Sequence, residues 1–401
     1  MKYFFVLGNN KTLSIAEISA IFGLYNSPVG GKNKFFLLYN IFILETDKEI
    51  NAKNLIKRIG GIIKIGIINN EINAKNINII KENIVNSINI NKISGKFKFG
   101  FSYYGKDKFN IKPLAMETKK YLKEKGISCR WVISREQTLS SVVVEQNKLT
   151  SNGLEIILIE NNNKILVGKT LATQPFKELS FRDYGRPARD DKSGMLPPKI
   201  AQIMINLSQA KLDDNILDPF CGSGTILTEA LLMNYKNLIG SDSSQKAIDD
   251  TKKNINWIIK NYKLRIMNYE LINNNSTQIS KFIKPNSINA IITEPYLGPQ
   301  RGKIDIKKTI HELEQLYSKS LEEFKKVLKK DGRVVMIFPV FYKKHFINPN
   351  LNGFKILNFI PNQLLNNKNI NLTNRNTIIY GREGQKVWRE IVVLKKIKII
   401  Y

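Results

Sequence analysis

The sequence predicts an α/β protein whose C-terminal half is a doubly wound, mostly parallel sheet, and three observations carry that expectation. Apolar runs of strand length alternate with helix-length stretches along the chain. The run Asp218-Pro219-Phe220-Cys221-Gly222-Ser223-Gly224-Thr225 ends a strand at Ile216-Leu217, turns on glycines and restarts as a helix over Ile226–Met233. Two further apolar strands, Leu238–Asp242 and Ile288–Ile292, also run into acids. In an open α/β sheet, ligands bind at such carboxyl ends of the strands.

Near the N-terminus Tyr3–Leu7 reads as a strand, and a helix follows from Ser14, where Ser14 and Glu17 have capping-box spacing. Strands at Phe35–Tyr39 and Ile62–Ile68 flank a helical Ala52–Ile59, giving a small ferredoxin-like unit over residues 1–70, with its boundary near Asn69–Ala74. A second unit, residues 71–175, runs from helix Ile77–Ile88 through strand Lys96–Phe101 and helix Leu114–Lys125 to strands Arg130–Ile133, Glu155–Ile159 and Leu166–Thr170. Phe97, Phe99 and Phe101 alternate with period two, which predicts one buried face and one solvated face. Lys106 and Lys108 are candidate phosphate contacts beside the stacking candidates Tyr103 and Tyr104. Residues 176–198 gather Arg182, Arg186, Arg189 and Lys192 among Gly and Pro, which suits a connector touching a phosphate backbone; a plain solvated linker fits equally. The remaining half, 199–401, continues with helix Ser244–Ile259, a strand at Tyr269–Ile272, helix Thr309–Leu328, strand Arg333–Phe338 and late strands at Lys355–Phe359 and Trp388–Lys395.

A strand that breaks into glycines and restarts as a helix aims backbone N–H groups at a ligand. No lysine follows Gly224, so this is not a phosphate loop of the Gly-Lys-Ser/Thr kind. Asp242 lies eighteen residues after Gly224, where the carboxylate that accepts ribose hydroxyls is expected. Ile226 and Leu227 stand where a dinucleotide cradle would carry its third glycine, so S-adenosylmethionine is the better cofactor. The third piece, Glu294-Pro295-Tyr296, joins an acid, a proline turn and an aromatic ring. Such a trio suits methylation of a nucleobase amine: its lone pair is delocalised, so acceptors must hold its hydrogens while a ring stacks the base.

The order Asp-Pro-Phe-Cys-Gly-Ser-Gly-Thr (218–225), Ser241-Asp242 and Thr293-Glu294-Pro295-Tyr296-Leu297-Gly298 resembles the THUMP-containing tRNA guanine methyltransferases, most closely the guanosine-10 branch. Gln174-Pro175-Phe176, Arg182-Asp183-Tyr184-Gly185-Arg186-Pro187, and Met195-Leu196-Pro197-Pro198-Lys199-Ile200-Ala201-Gln202 leading to Asn206-Leu207 are similar as well, and so is the opening of the chain. The resemblance implies that residues 71–175 are a THUMP RNA-binding domain and that 199–401 are a Rossmann-like class I methyltransferase domain. It implies S-adenosylmethionine along Asp218, Phe220, Gly222, Ser223, Gly224 and Thr225, with Asp242 on the ribose. Where relatives carry an aspartate toward the adenine amine, Asn275 offers its amide oxygen. Glu294, Pro295 and Tyr296 are the implied catalytic residues, and Lys106, Lys108, Arg182, Arg186 and Arg189 the RNA contacts. The family's usual signature is Asp or Asn, then Pro-Pro-Tyr or Pro-Pro-Phe; here one proline is missing. Either Glu294 stands for the acid, or Pro295-Tyr296 keeps register and Glu294 replaces the first proline.

The 401 residues suffice for two to three domains with stable cores. Against 34 Asp and Glu stand 63 Lys and Arg, a formal charge of +29 that implies a polyanionic partner, although abundant Lys, Asn and Ile also mark an AT-rich genome. Cys129 and Cys221 offer no disulfide framework, as in a reducing cytoplasm, and His311 and His345 lack the spacing of a zinc site, so no metal is expected. No apolar run has the length of a membrane span, and Tyr3–Leu7 is too short for a signal-peptide core. The expectation is a cytoplasmic, otherwise monomeric tRNA (guanine-N2-)-methyltransferase, with a small activating subunit left open. The alternatives are an rRNA or DNA amino-methyltransferase, or an inactive RNA-binding homologue.

Overall fold

The computed structural model describes residues 1–26, 33–73, 79, 80, 82, 84, 88, 95–189, 194–265, 268–300 and 302–397. They form two compact units: Met1–Lys11, Ser27–Lys57 and Ile62–Phe176 make the first, and Thr12–Asn26, Arg58–Gly61 and Lys177–Tyr401 the second. Most of the expected helix over 77–88, and Lys192, lie outside the described residues.

The first unit is built on one sheet of β1 (Lys2–Leu7), β2 (Lys34–Leu38), β3 (Ile41–Glu45), β4 (Ile62–Asn73), β5 (Phe97–Tyr104), β6 (Cys129–Val132), β7 (Gly153–Asn161) and β8 (Lys164–Thr173), in the order β2-β3-β1-β4-β8-β7-β5-β6. The helices of the N-terminal region are α1 (Lys11–Phe22), most of which belongs to the second unit, α2 (Ala52–Arg58), α3 (Lys112–Glu124) and α4 (Ser141–Gln146). β4 pairs with β1 along its first half and with β8 from Lys64 to Asn73. The boundary expected near Asn69–Ala74 therefore falls on the last residues of a continuous strand, and residues 1–70 and 71–175 share one sheet. Gly66 is required in that strand, since a Cβ would sit 2.2 Å from the Phe4 ring.

Phe97, Phe99 and Phe101 are buried as their alternation predicts. The other face of β5 is not solvated, because the strand lies between parallel neighbours with core on both sides. Tyr103 and Tyr104 are consequently buried too, Tyr103 stacking on Phe109 at 4.9 Å, and they offer no ring to RNA. Beside them Lys64 Nζ donates to Glu155 Oε1 at 2.5 Å and to the Leu139 carbonyl at 2.6 Å. The hydroxyls of Ser102 and Thr170 donate to the same carboxylate, each at 2.6 Å. A buried charge is tolerated when its lone pairs are all answered in this way.

The second unit carries α5 (Phe176–Tyr184), α6 (Pro198–Ser208), α7 (Thr225–Leu232), α8 (Gln245–Tyr262) and α9 (Ile306–Val327). Its strands are β9 (Asn215–Asp218), β10 (Asn237–Asp242), β11 (Asn268–Asn273), β12 (Ile288–Thr293), β13 (Leu328–Phe341), β14 (His345–Phe346), β15 (Phe354–Ile356), β16 (Ile378–Tyr380) and β17 (Val387–Lys396). The sheet order is β11-β10-β9-β12-β13-β17-β15, with β14 on β13 and β16 on β17. β9 to β13 run parallel and β17 runs antiparallel to β13. From β9 the chain winds one way through β10 and β11, then returns to lay β12 on the other side, so the switch point lies between β9 and β12.

The capping box at Ser14 and Glu17 is not formed, because the helix begins at Lys11 and both residues lie inside it. They answer the returning segment Arg58–Gly61 instead. Ser14 Oγ donates to the Gly61 carbonyl at 2.7 Å, while Glu17 accepts from the N–H groups of Gly60 (2.9 Å) and Gly61 (2.8 Å) and from Asn206 Nδ2 (2.7 Å). Burial pushes the Glu17 carboxyl up to about 7 against the pull of those three donors. A Cβ on Gly60 would lie 2.1 Å from the Lys199 carbonyl, so the approach admits only glycine there.

Replacing Lys64 by Met leaves the buried Glu155 carboxyl without its cation. The first unit is expected to lose roughly 3–5 kcal/mol, read by urea denaturation with tyrosine fluorescence; a loss below about 1 kcal/mol would sink this account of the network.

Candidate functional site

Three strand ends come into line at the switch point. Gly240 of β10 lies opposite Asp218 of β9, and Asn273 of β11 opposite Asp242. On the other side Ile291 of β12 pairs with Leu217, which brings Thr293 beside Asp218. Thr293 donates its hydroxyl to Asp218 Oδ1 at 2.7 Å, and the Phe220 N–H donates to the same oxygen at 3.3 Å. Asp218 is buried, and burial pushes its carboxyl up to about 7; those two donors pull it back, and the charges of Asp242 and Glu294 push the same way as burial.

Beyond Asp218 the chain makes a turn whose glycines are fixed by their backbone. Gly222 and Gly224 have φ of +53° and +81°, and Gly224 is the N-cap of α7. A Cβ on Gly224 would lie 2.9 Å from the Thr251 side chain, whereas one on Gly222 would meet nothing within 4 Å. The turn's carbonyls are held from α8: Thr251 Oγ1 donates to Gly222 at 2.8 Å, and Asn254 Nδ2 to Ser223 at 2.8 Å. Cys221 is buried beneath the turn, and burial, with Asp218's charge, pushes its thiol well up, as befits a packing residue.

Asp242 faces the turn with both oxygens in use, Oδ2 accepting from Gly222 N–H at 3.0 Å and Oδ1 from Ser244 N–H at 2.9 Å. Each oxygen keeps a lone pair for a ligand hydroxyl. Asn275 does not offer its amide oxygen as expected, since that atom accepts from the N–H (3.0 Å) and hydroxyl (2.9 Å) of Thr277. Its neighbour Asn274 instead carries a buried Nδ2 with no partner among the described residues.

Glu294 is the first residue after β12, next to the buried Pro295 and a Tyr296 that is 55% exposed. The Tyr296 carbonyl accepts from the buried Tyr317 hydroxyl of α9 at 3.0 Å. Glu294 Oε1 accepts from Arg389 Nε of β17 at 2.5 Å. Arg389 is a residue that sequence reasoning missed.

The arginines expected to touch RNA divide. Arg182 is only 5% exposed and donates through Nε and Nη2 to Glu229 of α7 at 2.6 and 3.1 Å; burial works against its charge, and Glu229 holds its pKa above the ordinary range. Arg186 is buried as well, donating to Thr225 Oγ1 at 2.6 Å and to the Arg182 carbonyl at 3.0 Å. Both are withdrawn as phosphate contacts, because α5 occupies the first part of the expected linker and turns them onto the helix behind the cradle. Arg189 is exposed, its guanidinium 5.6 Å from the centre of the Tyr184 ring, and Lys106 and Lys108 are exposed in the first unit.

A family model described as RMKL-like, methyltransferase domain, matches residues 186–344, and one described as DNA methylase matches 41–253, just over half of the chain. A tRNA (guanine(10)-N2)-dimethyltransferase from Methanothermobacter thermautotrophicus is 32% identical over 146 residues, 36% of this chain and 39% of that one. A second relative, "Probable tRNA (guanine(10)-N2)-dimethyltransferase" of Methanothermococcus thermolithotrophicus, is 33% identical over 141 residues and matches 34% of this chain and 77% of its own length. The chain belongs to the tRNA (guanine(10)-N2)-dimethyltransferase family. It spans 39% of the length of the first of these relatives. The crystal structure of TrmN from Thermus thermophilus is similar in fold, with a TM-score of 0.54 at 14% identity over 99% of this chain and 100% of that one. The RMKL-like methyltransferase-domain match takes in the cradle, Asp242 and Glu294, whereas Arg389 lies beyond its matched residues. Among the described residues no group of His, Cys, Asp and Glu is arranged to hold a metal, and no helix is long and apolar enough to cross a membrane.

The unfolded chain releases the Asp218 proton near 3.8, while the folded chain keeps it to about 7. In between, the folded state binds more protons, so stability falls as pH rises. Relative to Asp218→Asn, the wild type is expected to lose about 1.4 kcal/mol per pH unit across that window. Denaturant titrations at pH 5, 6 and 7 check this, and parallel curves for the two proteins would contradict it.

Proposed function

We propose that the chain is a tRNA methyltransferase that uses S-adenosylmethionine to methylate the 2-amino group of a guanosine, position 10 as in the named relatives. One observation carries this reading: Glu294-Pro295-Tyr296 follows the strand whose Thr293 is bonded to Asp218, the residue that opens the cradle. The cofactor fits the residues present. Gly222 leaves open the space a Cβ would fill, Asp242 keeps lone pairs for ribose hydroxyls, and Asn274 Nδ2 is a buried donor suited to an adenine ring nitrogen. When bound, S-adenosylmethionine supplies an electrophilic methyl group on a sulfonium.

The work of the chain's own residues is alignment. Glu294 accepts a hydrogen of the incoming amine and so aims its lone pair, while the Pro295 turn holds that carboxylate at the strand end. Tyr296, exposed on the ring side and fixed at its carbonyl by Tyr317, stacks the base. Lys106, Lys108 and Arg189 provide phosphate contacts on the two units. A THUMP identity for residues 71–175 and a cytoplasmic location belong to the same reading.

Purified protein is incubated with labelled cofactor and separate pools of tRNA, rRNA and DNA, and the modified nucleoside is identified by mass spectrometry. N2-methylated guanosine in tRNA is the expected product; label in rRNA or DNA alone, or in no pool while tRNA still binds, would overturn the proposal. Asp242→Ala is expected to raise the cofactor Kd about 10- to 100-fold, the worth of one hydrogen bond to a charged group. Tyr296→Ala should leave that Kd unchanged and lower kcat/KM for RNA about 5- to 100-fold, as loss of a stacking partner implies.

A further inference from the structure

We propose that Arg389 is the positioning residue for Glu294, fixing one carboxylate oxygen so that the other is presented to the acceptor amine. This rests on the methyl-transfer reading above. The Glu294 side chain is long and unbranched, so without a tether its carboxylate samples several rotamers. Arg389 supplies the tether: its Nε lies 2.5 Å from Glu294 Oε1, and among the described residues Oε2 has no hydrogen-bond partner. The arginine is rigidly placed, since β17 is flanked by β13 and β16, and Arg389 lies opposite Pro339 on one side and Tyr380 on the other. Its Nη2 also lies 3.5 Å from the Met195 carbonyl.

Charge gives the pairing a second effect. Asp242 and Glu294 both act electrostatically on Asp218 at the strand ends, and a cationic cofactor and a neutral base must both enter beside them. Arg389 brings a positive charge to Glu294, while Asp242 stands across the glycine turn on the cofactor side. The guanidinium is buried with that carboxylate: burial works to lower its pKa, and the charge and hydrogen bond of Glu294, with a smaller part from Tyr380, together raise it. Because the planar Nε donor matches one oxygen in a fixed direction, lysine is not an equivalent replacement.

The test compares Arg389→Ala, Arg389→Lys, Glu294→Gln and the double variant Arg389→Ala/Glu294→Gln in full-length protein. If Arg389 acts through Glu294, Arg389→Ala lowers kcat about 30- to 100-fold with the cofactor Kd within twofold of wild type, Arg389→Lys recovers little, and the double variant is no more than about threefold below Glu294→Gln. Guanidinium ions added to Arg389→Ala should then restore kcat, and should do nothing for the double variant. A merely structural arginine predicts loss of cofactor binding together with kcat, losses that multiply in the double variant, and no rescue; any of these overturns the inference. The Arg389 Nε–H resonance gives a readout without turnover: it should be protected from exchange in the wild type and exposed in Glu294→Gln, and free exchange in the wild type also overturns the pairing. A wild type that methylates no nucleic acid defeats the functional reading, whereas an active wild type with a fully active Arg389→Ala defeats only this inference.

Discussion

The hydrogen bond from Thr293 to Asp218 is the constraint on which the rest of the site depends. Asp218 closes β9 and Thr293 closes β12, and these are the strands that the chain lays down on opposite sides of the switch point. A parallel sheet leaves a crevice at such a place, and the bond fixes its width. One side of that crevice is then the glycine turn, and the other is the acid, the proline and the exposed ring. The cost is visible in Asp218 itself, whose carboxyl is driven up by burial because its two donors do not replace all the water it has lost.

A turn with two glycines at positive φ has little side-chain packing of its own, so its shape comes from outside. Thr251 and Asn254 project from consecutive turns of α8 and hold successive carbonyls. From behind, Arg182 and Arg186 clamp α7 through Glu229 and Thr225, and Gln202 of α6 donates to the same Glu229 at 2.9 Å. The helix that begins at Thr225 is thereby fixed at both its first residue and its second turn. A ligand arriving at the N-terminus of α7 meets backbone donors already ordered, which is the condition for alignment to contribute to rate.

The parts of this arrangement that were legible in the sequence are those with local spacing. The strand, glycine turn and helix at 216–233 and the acid ending β10 follow from neighbours in the chain, and the structure brings them together at the strand ends. What escaped detection depends on residues far apart. Glu17 and Ser14 have the spacing of a cap, yet they serve Gly60 and Gly61, and nothing within four residues of Glu17 signals that use. Arg182 and Arg186 read as linker cations open to RNA because their partners on α7, Glu229 for Arg182 and Thr225 for Arg186, lie about forty residues on. Arg389 meets Glu294 only through the antiparallel register of β17 on β13, ninety-five residues later. β3 and the second face of β5 were hidden for a related reason: a strand covered on both sides has no alternation to read.

The shortened motif can now be read in terms of what each residue has left to offer. Thr293 is committed to Asp218, so Glu294 is the first side chain after the strand that is able to face a substrate. Tyr296 follows two residues later with its carbonyl already bound by Tyr317, which sets where its ring stands relative to the strand end. Between these two fixed points there is room for one proline. On the proposed reading, a longer acid makes up for the missing residue by reach, and reach without a tether would blur the geometry that amine methylation needs. On the same reading the Glu294–Arg389 pair accompanies the missing proline: the glutamate is held by a fixed cation, and β17 is the element whose register delivers it.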